Sequence, residues 1–101
     1  MICAALGDYG KPRPAVVVQS DLFNATHSSL VICLITTHFE ETPLFRIPVP
    51  PGGATGLKED SQVMVDKVVA IPRSKVASRV GTLNQDQMKE IDGALRLWLE
   101  L

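Results

Sequence analysis

The sequence predicts a single small domain of the α+β class, mainly β, in which short antiparallel strands form a barrel-like sheet and one C-terminal helix packs against it. The length of 101 residues suits one domain, so we expect residues 1–101 to fold as a unit. Apolar residues make up 46% of the chain, which excludes wholesale disorder. Short β-branched runs alternate with loops rich in glycine and proline, and only the C-terminal segment carries clear helical spacing.

The first half of the chain predicts three strands. They are residues 1–6, residues 15–19 and residues 28–36, each a short apolar run. Residues 7–14 predict a loop, because their glycines allow unusual backbone angles and their prolines disfavour helix. Ser20 or Asp21 is a candidate cap for one short turn that follows the second strand.

The next segment predicts an edge strand. Residues 44–49 alternate apolar and polar side chains, which predicts one solvent-facing side and an exposed Arg46. Pro48 has no N–H to donate to a neighbouring strand, so it favours an edge position. Residues 50–56 are rich in proline and glycine and predict a loop.

A further strand and a short helix follow. Residues 61–71 have a strand pattern, and residues 73–79 predict a short helix opened by a proline. Alternation along the strand predicts Val63, Val65 and Lys67 on one face. The same alternation predicts Gln62, Met64 and Asp66 on the other face.

The clearest element is the C-terminal helix. Asn84 is a good N-cap, and Gln87, three residues further on, completes a capping box. Apolar side chains then recur at helical spacing at Met88, Ile91, Leu95, Trp98 and Leu99. This stripe predicts an amphipathic helix that packs one face on the sheet.

Composition limits the location and the partners. No apolar run approaches the roughly 18 residues that span a bilayer, and the N-terminus lacks the basic lead of a secretion signal, so we expect a cytoplasmic protein. The formal net charge is −1, so any nucleic-acid site must be a local cluster of basic residues. The candidate clusters are Lys11 with Arg13, and Lys67 with Arg73, Lys75 and Arg79.

The cysteines and histidines do not predict a metal site. Cys3 and Cys33 lie in apolar stretches without metal-type spacing, so we expect buried free thiols. Two histidines, His27 and His38, are too few to argue for a metal, and no phosphate-binding loop or hydrolase motif occurs. We therefore expect chemistry without a metal or cofactor.

The most unusual local feature is Arg13, which stands between two prolines in Lys11-Pro12-Arg13-Pro14. Two fixed φ angles stiffen the backbone around it. A guanidinium presented in this way can give two parallel hydrogen bonds to a phosphate. The alternative is a surface arginine in a stiff turn, and physical chemistry alone favours this structural interpretation.

Three ordered motifs resemble one family. Gly10-Lys11-Pro12-Arg13-Pro14 entering an apolar strand that ends in Gln19-Ser20-Asp21 resembles the MazF/PemK signature. Ile32-Cys33-Leu34-Ile35-Thr36-Thr37 resembles the strand with the family's active-site threonine, and Val65-Asp66-Lys67 resembles a later strand that often reads Asp-Gln. The ordered match covers roughly nine tenths of the chain.

The resemblance implies a fold, an activity and partners. The fold is a small SH3-like, CcdB/PemK-type antiparallel barrel with a C-terminal helix. The activity is that of a type II toxin–antitoxin toxin, a metal-independent endoribonuclease that cuts single-stranded RNA at short sequences. The implied partners are single-stranded RNA, a cognate antitoxin and a second copy in a homodimer. The 2′-hydroxyl would attack the phosphate, leaving a cyclic phosphate and a 5′-hydroxyl.

The resemblance also implies site residues. Arg13, Thr36 and Asp66 are the catalytic candidates, with Arg13 supplying charge and Thr36 a hydrogen bond. Arginine is a poor general base because it stays protonated, so the group that takes the 2′-proton stays open. The candidate RNA-binding residues are Tyr9, Lys11, Gln19, Thr37 and His38. Each also has an ordinary structural interpretation, and Asp66 is equally consistent with a carboxylate paired with Arg or Lys.

Two other functions remain as alternatives. Trp98 near the C-terminus is similar to the functional tryptophan of the CcdB gyrase poisons, although it also fits the apolar stripe of the last helix. The chain lacks the Arg-Gly-Asp-like lead with which MazF/PemK members usually begin, so a non-catalytic member that only binds an antitoxin is the third interpretation.

Overall fold

Six antiparallel strands form one sheet, and a single long helix follows them. The computed structural model describes residues 1–6, 11–18, 26, 28–42 and 44–101. The strands are β1 Ile2–Leu6, β2 Pro12–Val17, β3 Ser29–Thr36, β4 Arg46–Val49, β5 Ser61–Pro72 and β6 Val76–Gly81. A 3-10 turn, Arg73–Lys75, joins β5 to β6, and helix α1 spans Gln85–Leu99. The strand order β4-β5-β3-β2-β1-β6 puts β3 and β2 in the middle.

The sheet carries apolar clusters on both of its faces. The larger cluster contains Ile91 and Ala94 of α1, so it marks the helix side of the sheet. Its strand members are Ile2, Val16, Cys33, Ile35, Ile47, Val49, Val63 and Val65. A smaller cluster occupies the opposite face, because its members alternate with those residues along the same strands: Cys3, Ala5, Ala15, Val17, Leu30 and Ile32.

The α+β class is confirmed, but the sheet is open and does not close into the small barrel that the family resemblance implied. β4 and β6 lie at opposite edges of the sheet and do not pair with each other in the described part of the chain. β4 has only four residues, and Pro48 within it and Pro50 after it lack the N–H that further pairing would use. Helix α1 covers the sheet instead, in contact with β5 and β4.

The second strand begins earlier than predicted. Pro12, Arg13 and Pro14 belong to β2, whereas the sequence predicted a loop through Pro14. They pair only with β1, since the pairing of β2 with β3 covers Ala15 to Val17. Proline is tolerated there because the missing N–H faces a side on which no neighbouring strand is paired.

The helix predicted for residues 73–79 is wrong. Only one 3-10 turn forms, and β6 follows it directly. β6 pairs with β1, so that Cys3 stands opposite Arg79 and Ala4 opposite Ser78. Pairing with an otherwise open edge of β1 outweighed the weak local preference for helix.

The predicted faces of β5 hold only in its first half. Val63 and Val65 are fully buried in the helix-side cluster, but Lys67 is exposed and Val68 packs against that cluster instead. The register of β5 against β3 shifts between Cys33 and Ile35. This irregularity adds residues to β5 and breaks the two-residue alternation, which a sequence pattern does not reveal.

Helix α1 agrees with the prediction at its start. Asn84 accepts a hydrogen bond from the Gln87 N–H at 2.8 Å, and the Gln87 side chain accepts one from the Asn84 N–H at 2.8 Å. The indole of Trp98 packs edge-on against Phe45 with ring centroids 4.9 Å apart. This contact supports the packing interpretation of Trp98. Within the described residues, no helix has the length and apolar character needed to cross a membrane.

Candidate functional site

Arg13 stands near the start of β2, at the end of the sheet where β3 also ends. It is exposed and pairs with Ala5 of β1. β2 runs antiparallel to β3, with Ala15 opposite Leu34. The pairing ends at Ala15, and the same register extended by two residues aligns Arg13 with Thr36. The extended β2 therefore carries Arg13 to the same end of the sheet as Thr36.

Thr36 is the last residue of β3, and its hydroxyl already has one partner. The Thr36 Oγ1 accepts a hydrogen bond from the His38 backbone N–H at 3.1 Å. This bond uses an acceptor position of the oxygen, so the hydroxyl hydrogen stays available for donation. The local turn thus prepares Thr36 to act as a hydrogen-bond donor.

Gln62 holds the loop after β3, a role that the sequence pattern did not predict. It stands opposite Thr36 in the β3–β5 pairing and is only 7% exposed. Its Nε2 donates to the Glu40 carbonyl oxygen at 3.2 Å, and its Oε1 accepts from the Glu40 N–H at 3.1 Å. The loop that carries Thr37 and His38 is therefore tied to β5. The sequence signal that could have indicated this role is a polar glutamine inside a strand pattern. Its two neighbours, Ser61 and Val63, are buried in the structure.

Arg46 of β4 and Asp66 of β5 form a partly buried ion pair. The Arg46 Nε donates to one carboxylate oxygen at 2.9 Å, and Nη2 donates to the other at 3.3 Å. The side chain of Arg46 is 8% exposed and that of Asp66 is 27% exposed. The expectation that Arg46 faces solvent is wrong, because the carboxylate of Asp66 compensates its buried charge.

Asp66 has no part in the cavity beside Arg13. An open cavity of about 310 Å³ lies at the strand ends, and Arg13 and Thr37 both line it. We call it the strand-end cavity. Lys58 and Glu59, from the loop before β5, complete its polar rim. The cavity gives independent support for the proximity of Arg13 to the end of β3, while the catalytic role of Asp66 stays a prediction.

The remaining predicted residues divide into two groups. Lys11, Thr37 and His38 are exposed near the strand ends, where a nucleic-acid chain can reach them. Tyr9 and Gln19 lie outside the described residues, as do the capping candidates Ser20 and Asp21. The structure thus brings Arg13, Thr36 and Thr37 to one end of the sheet.

Both thiols are free and buried, as predicted. Burial raises the pKa of the Cys33 thiol from an ordinary 9.0 to about 11, with a smaller contribution from the negative charge of Asp66. Burial also raises the pKa of Cys3. Neutral buried thiols are poor nucleophiles, so neither cysteine is a candidate for catalysis. Among the described residues no group of three or more metal-ligating side chains occurs.

Known sequences match nearly the whole chain. The sequence profile of the PemK-like, MazF-like toxins of type II toxin–antitoxin systems matches residues 2–99. A probable endoribonuclease MazF of Mycolicibacterium smegmatis is 44% identical over 97 residues, covering 95% of this chain and 88% of the relative. Endoribonuclease MazF6 of Mycobacterium tuberculosis is 35% identical over 94 residues, covering 90% of this chain and 81% of that relative.

Solved structures share the fold. The Mycobacterium tuberculosis toxin MazF-mt6 matches with a TM-score of 0.87 at 23% identity, covering 99% of this chain and 96% of that chain. A mycobacterial endoribonuclease in complex with its cognate antitoxin matches with a TM-score of 0.79 at 21% identity, covering 99% of this chain and 91% of that one. The sequence match confirms the predicted family and disfavours the gyrase-poison alternative: the chain belongs to the PemK-like, MazF-like toxins of type II toxin–antitoxin systems.

Proposed function

We propose that this chain is a toxin endoribonuclease that cuts single-stranded RNA at short sequences in the cytoplasm, without a metal ion. The observation that carries the proposal is the meeting of Arg13 with the end of β3 in a chain of this family. The relatives named endoribonuclease at 44% and 35% identity support the same activity.

The reaction is an internal transfer at phosphorus. The 2′-oxygen of one nucleotide attacks the adjacent phosphate, the bond from phosphorus to the 5′-oxygen breaks, and a 2′,3′-cyclic phosphate remains. The 2′-proton passes to a base, and the leaving 5′-oxygen gains a proton from Arg13 or from solvent. Negative charge grows on the phosphoryl oxygens in the transition state, so fixed cations and donors lower the barrier.

Arg13 and Thr36 supply that stabilisation. The guanidinium of Arg13 offers two parallel N–H donors to the phosphoryl oxygens, and the flanking prolines reduce the freedom lost when it binds. Thr36 donates its hydroxyl hydrogen to the same phosphate, since its oxygen already accepts from the His38 N–H. Both residues lie at the same end of the sheet, and we propose that one phosphate contacts both.

Asp66 is the third catalytic candidate that the family resemblance implies. Both of its carboxylate oxygens accept hydrogen bonds from Arg46, so Asp66 is not a free proton acceptor. We propose that Asp66 holds the Arg46 side chain in position and neutralises its charge. The base that takes the 2′-proton is then sought among exposed groups such as His38.

RNA contacts follow from exposure near the strand ends. Lys11, Thr37 and His38 are exposed there and are proposed to contact the RNA backbone. Tyr9 and Gln19 complete the proposed RNA-binding set on the strength of the family resemblance, with Tyr9 stacking a base.

Two protein partners complete the proposal. We expect a symmetric homodimer, the commonest assembly of small soluble chains. We also expect a cognate antitoxin, whose disordered acidic segment folds onto the basic groups of the toxin. The mycobacterial endoribonuclease solved with its cognate antitoxin supports a partner of this kind.

One experiment tests the activity. The purified protein is incubated with a long single-stranded RNA in EDTA, beside the Arg13→Ala variant, and the ends of the products are mapped. We expect cuts at a short recurring sequence with 5′-hydroxyl ends, which disappear in the variant. A correctly folded dimer that leaves the RNA intact would refute the proposal, and trapped gyrase–DNA breaks in a parallel reaction would favour the gyrase alternative.

A further inference from the structure

Gln62 is a polar side chain inside β5 that is almost completely enclosed, with 7% of the residue exposed. A buried amide is costly unless its donor and its acceptor both have partners. Both partners of Gln62 are backbone atoms of one residue, Glu40, at 3.2 Å from Nε2 and 3.1 Å from Oε1. We call these two hydrogen bonds the Gln62 clamp. Since they join two points of the Glu40 backbone, the clamp fixes both its position and its orientation.

The Gln62 clamp lies on the face of the sheet that carries the proposed cleavage site. Val63 belongs to the helix-side cluster, so the adjacent Gln62 points away from α1. Thr36 stands directly opposite Gln62 in the β3–β5 pairing, and opposed residues of an antiparallel pair share a face. Arg13 is on this face as well, because it pairs with Ala5 of the smaller cluster. The clamp, Thr36 and Arg13 are therefore on one side of the sheet.

The segment that the clamp holds has few other restraints. Residues 37–42 are all exposed, so little packing keeps them in place. Among the described residues, the clamp and the bond from the His38 N–H to the Thr36 Oγ1 are the hydrogen bonds that tie residues 37–41 to the strands. Without the clamp, this segment would be fixed only where it leaves β3 and where it enters the turn before β4.

A series of hydrogen bonds connects the clamp to the hydroxyl of Thr36. The His38 N–H donates to the Thr36 Oγ1 at 3.1 Å, which occupies one acceptor position of that oxygen. This bond restricts the directions in which the hydroxyl can donate its own hydrogen. It depends on the path of residues 37–40, and the clamp fixes that path at Glu40. The orientation of the Thr36 hydroxyl thus depends on Gln62.

Orientation matters because the proposed role of Thr36 is to donate to a phosphoryl oxygen. A donor that is fixed before the reaction stabilises the growing negative charge without the cost of reorienting. A hydroxyl that turns freely pays this cost in each turnover. The loss of such a restraint lowers kcat more than it raises KM, since the donor contributes mainly in the transition state.

We propose that Gln62 is a positioning residue of the ribonuclease, which acts through Glu40 and His38 to direct the Thr36 hydroxyl at the phosphate. Gln62 is enclosed by the protein, so its effect on the reaction is indirect. This inference rests on the proposed ribonuclease activity and on the role of Thr36 in it.

The test compares the same substitution at Gln62 and at two glutamines of α1, in the intact protein. Gln62→Met keeps the length of the side chain and removes both hydrogen bonds of the clamp. Gln87→Met removes the acceptor of the Asn84 N–H in the capping box, so it lowers stability on the helix side of the sheet, away from Thr36. Gln85→Met is the control at an exposed position. kcat and KM are measured on one single-stranded oligonucleotide, and urea denaturation measures stability.

The expected results separate positioning from stability. Gln62→Met lowers kcat by about fivefold and changes KM by less than about twofold. Gln87→Met is less stable than the wild type but keeps its kcat, and Gln85→Met changes neither property. In a Thr36→Val background, Gln62→Met lowers kcat by less than about twofold, because the hydroxyl that it positions is already absent.

Three outcomes overturn the inference. One is a wild-type kcat in a folded Gln62→Met protein. Another is an equal fall of kcat in Gln62→Met and Gln87→Met, which would reduce the effect to stability. The third is an equal effect of Gln62→Met with and without the Thr36 hydroxyl. If Gln62→Met does not fold, Gln62→Glu takes its place, because a carboxylate keeps the acceptor of the Glu40 N–H and lacks the donor.

A failure of the proposed activity is distinguishable from a failure of the clamp. If the wild type leaves RNA uncut, the activity fails, and with it the role of Gln62 in cleavage. Hydrogen exchange of the Glu40 amide tests the clamp without RNA. Faster exchange in Gln62→Met than in the wild type supports the clamp, and equal exchange overturns it whether or not the protein cuts RNA.

Discussion

Arg13 and Arg46 show two opposite uses of the same side chain in one sheet. Both stand in strands and both have a proline close by, Pro14 and Pro48 respectively. Arg13 is exposed at the end of the sheet and borders a cavity, whereas Arg46 is 7% exposed and holds the carboxylate of Asp66 with two hydrogen bonds.

The difference shows where a charge is available for a substrate. The positive charge of Arg46 is already compensated by the carboxylate of Asp66, so this arginine contributes to the fold. No side-chain hydrogen bond or ion pair joins Arg13 to another of the described residues. Mutations at the two positions should therefore affect different properties.

The largest expected effect is the loss of RNA cleavage when Arg13 is replaced by alanine. Arg13→Ala should lower the rate of RNA cleavage by at least about a hundredfold, because the main cation at the phosphate is removed. Its free energy of unfolding should change by less than about 0.5 kcal/mol, as for an exposed side chain. Urea denaturation beside the cleavage assay checks both, and Lys89→Ala, at an exposed lysine of α1 outside both basic clusters, is the control. A comparable loss of stability in Arg13→Ala would contradict the distinction between the two arginines.

Arg46 should show the opposite pattern. Arg46→Met leaves the half-buried carboxylate of Asp66 without its partner, and we expect the free energy of unfolding to fall by about 2 kcal/mol. Asp66→Leu should cost a similar amount. The double variant should cost less than the sum of the two, because no uncompensated charge remains. Additive losses in urea denaturation would mean that the ion pair contributes nothing to the fold.

A smaller effect on the rate is expected at Thr36. Thr36→Val keeps the shape but removes the hydroxyl donor, so kcat should fall by about tenfold with little change in stability. Thr36→Ser keeps the hydroxyl and should retain most of the activity. If Thr36→Ser were as slow as Thr36→Val, the methyl group and not the hydrogen bond would carry the role of this residue.

The smallest effect concerns Cys33. Burial raises the pKa of its thiol, and the Asp66 carboxylate that Arg46 binds contributes to the same shift. Its pKa in the fold is about 11, above its ordinary 9.0, so the folded protein favours the protonated thiol. The contribution of the protonated Cys33 thiol to the free energy of unfolding is therefore fully present below about pH 9. It is lost as the pH rises through about 11. Urea denaturation at pH 8 and pH 10.5 should show a smaller alkaline loss in Cys33→Val than in the wild type. Equal losses would show that Cys33 does not contribute.

The sequence predicted the elements whose signals are local. The capping box of Asn84 and Gln87 is made between residues three positions apart, so it can be identified without knowledge of the fold. The strand at residues 28–36 has an uninterrupted apolar run, and β3 matches it closely. The edge position of β4 followed from Pro48 for a similar reason.

Elements with distant partners were missed. β6 was predicted as a helix because the signals in residues 73–79 are weak and its partner β1 is at the other end of the chain. The exposure of Arg46 was predicted wrongly, since its partner Asp66 lies 20 residues further along. Gln62 was not assigned a role because Glu40, which it binds, is 22 residues away.

The sequence by itself determined the family, the α+β class and the choice of Arg13, Thr36 and Asp66 as candidates. These depend on ordered motifs and local periodicity, which the chain carries before it folds. Only the tertiary structure decided that the sheet stays open, that Arg46 binds Asp66, and that Arg13, Thr37 and Lys58 border one cavity. The reason is physical: burial, charge pairing and cavity shape depend on which distant residues become neighbours, and alternation along one strand does not specify its partners.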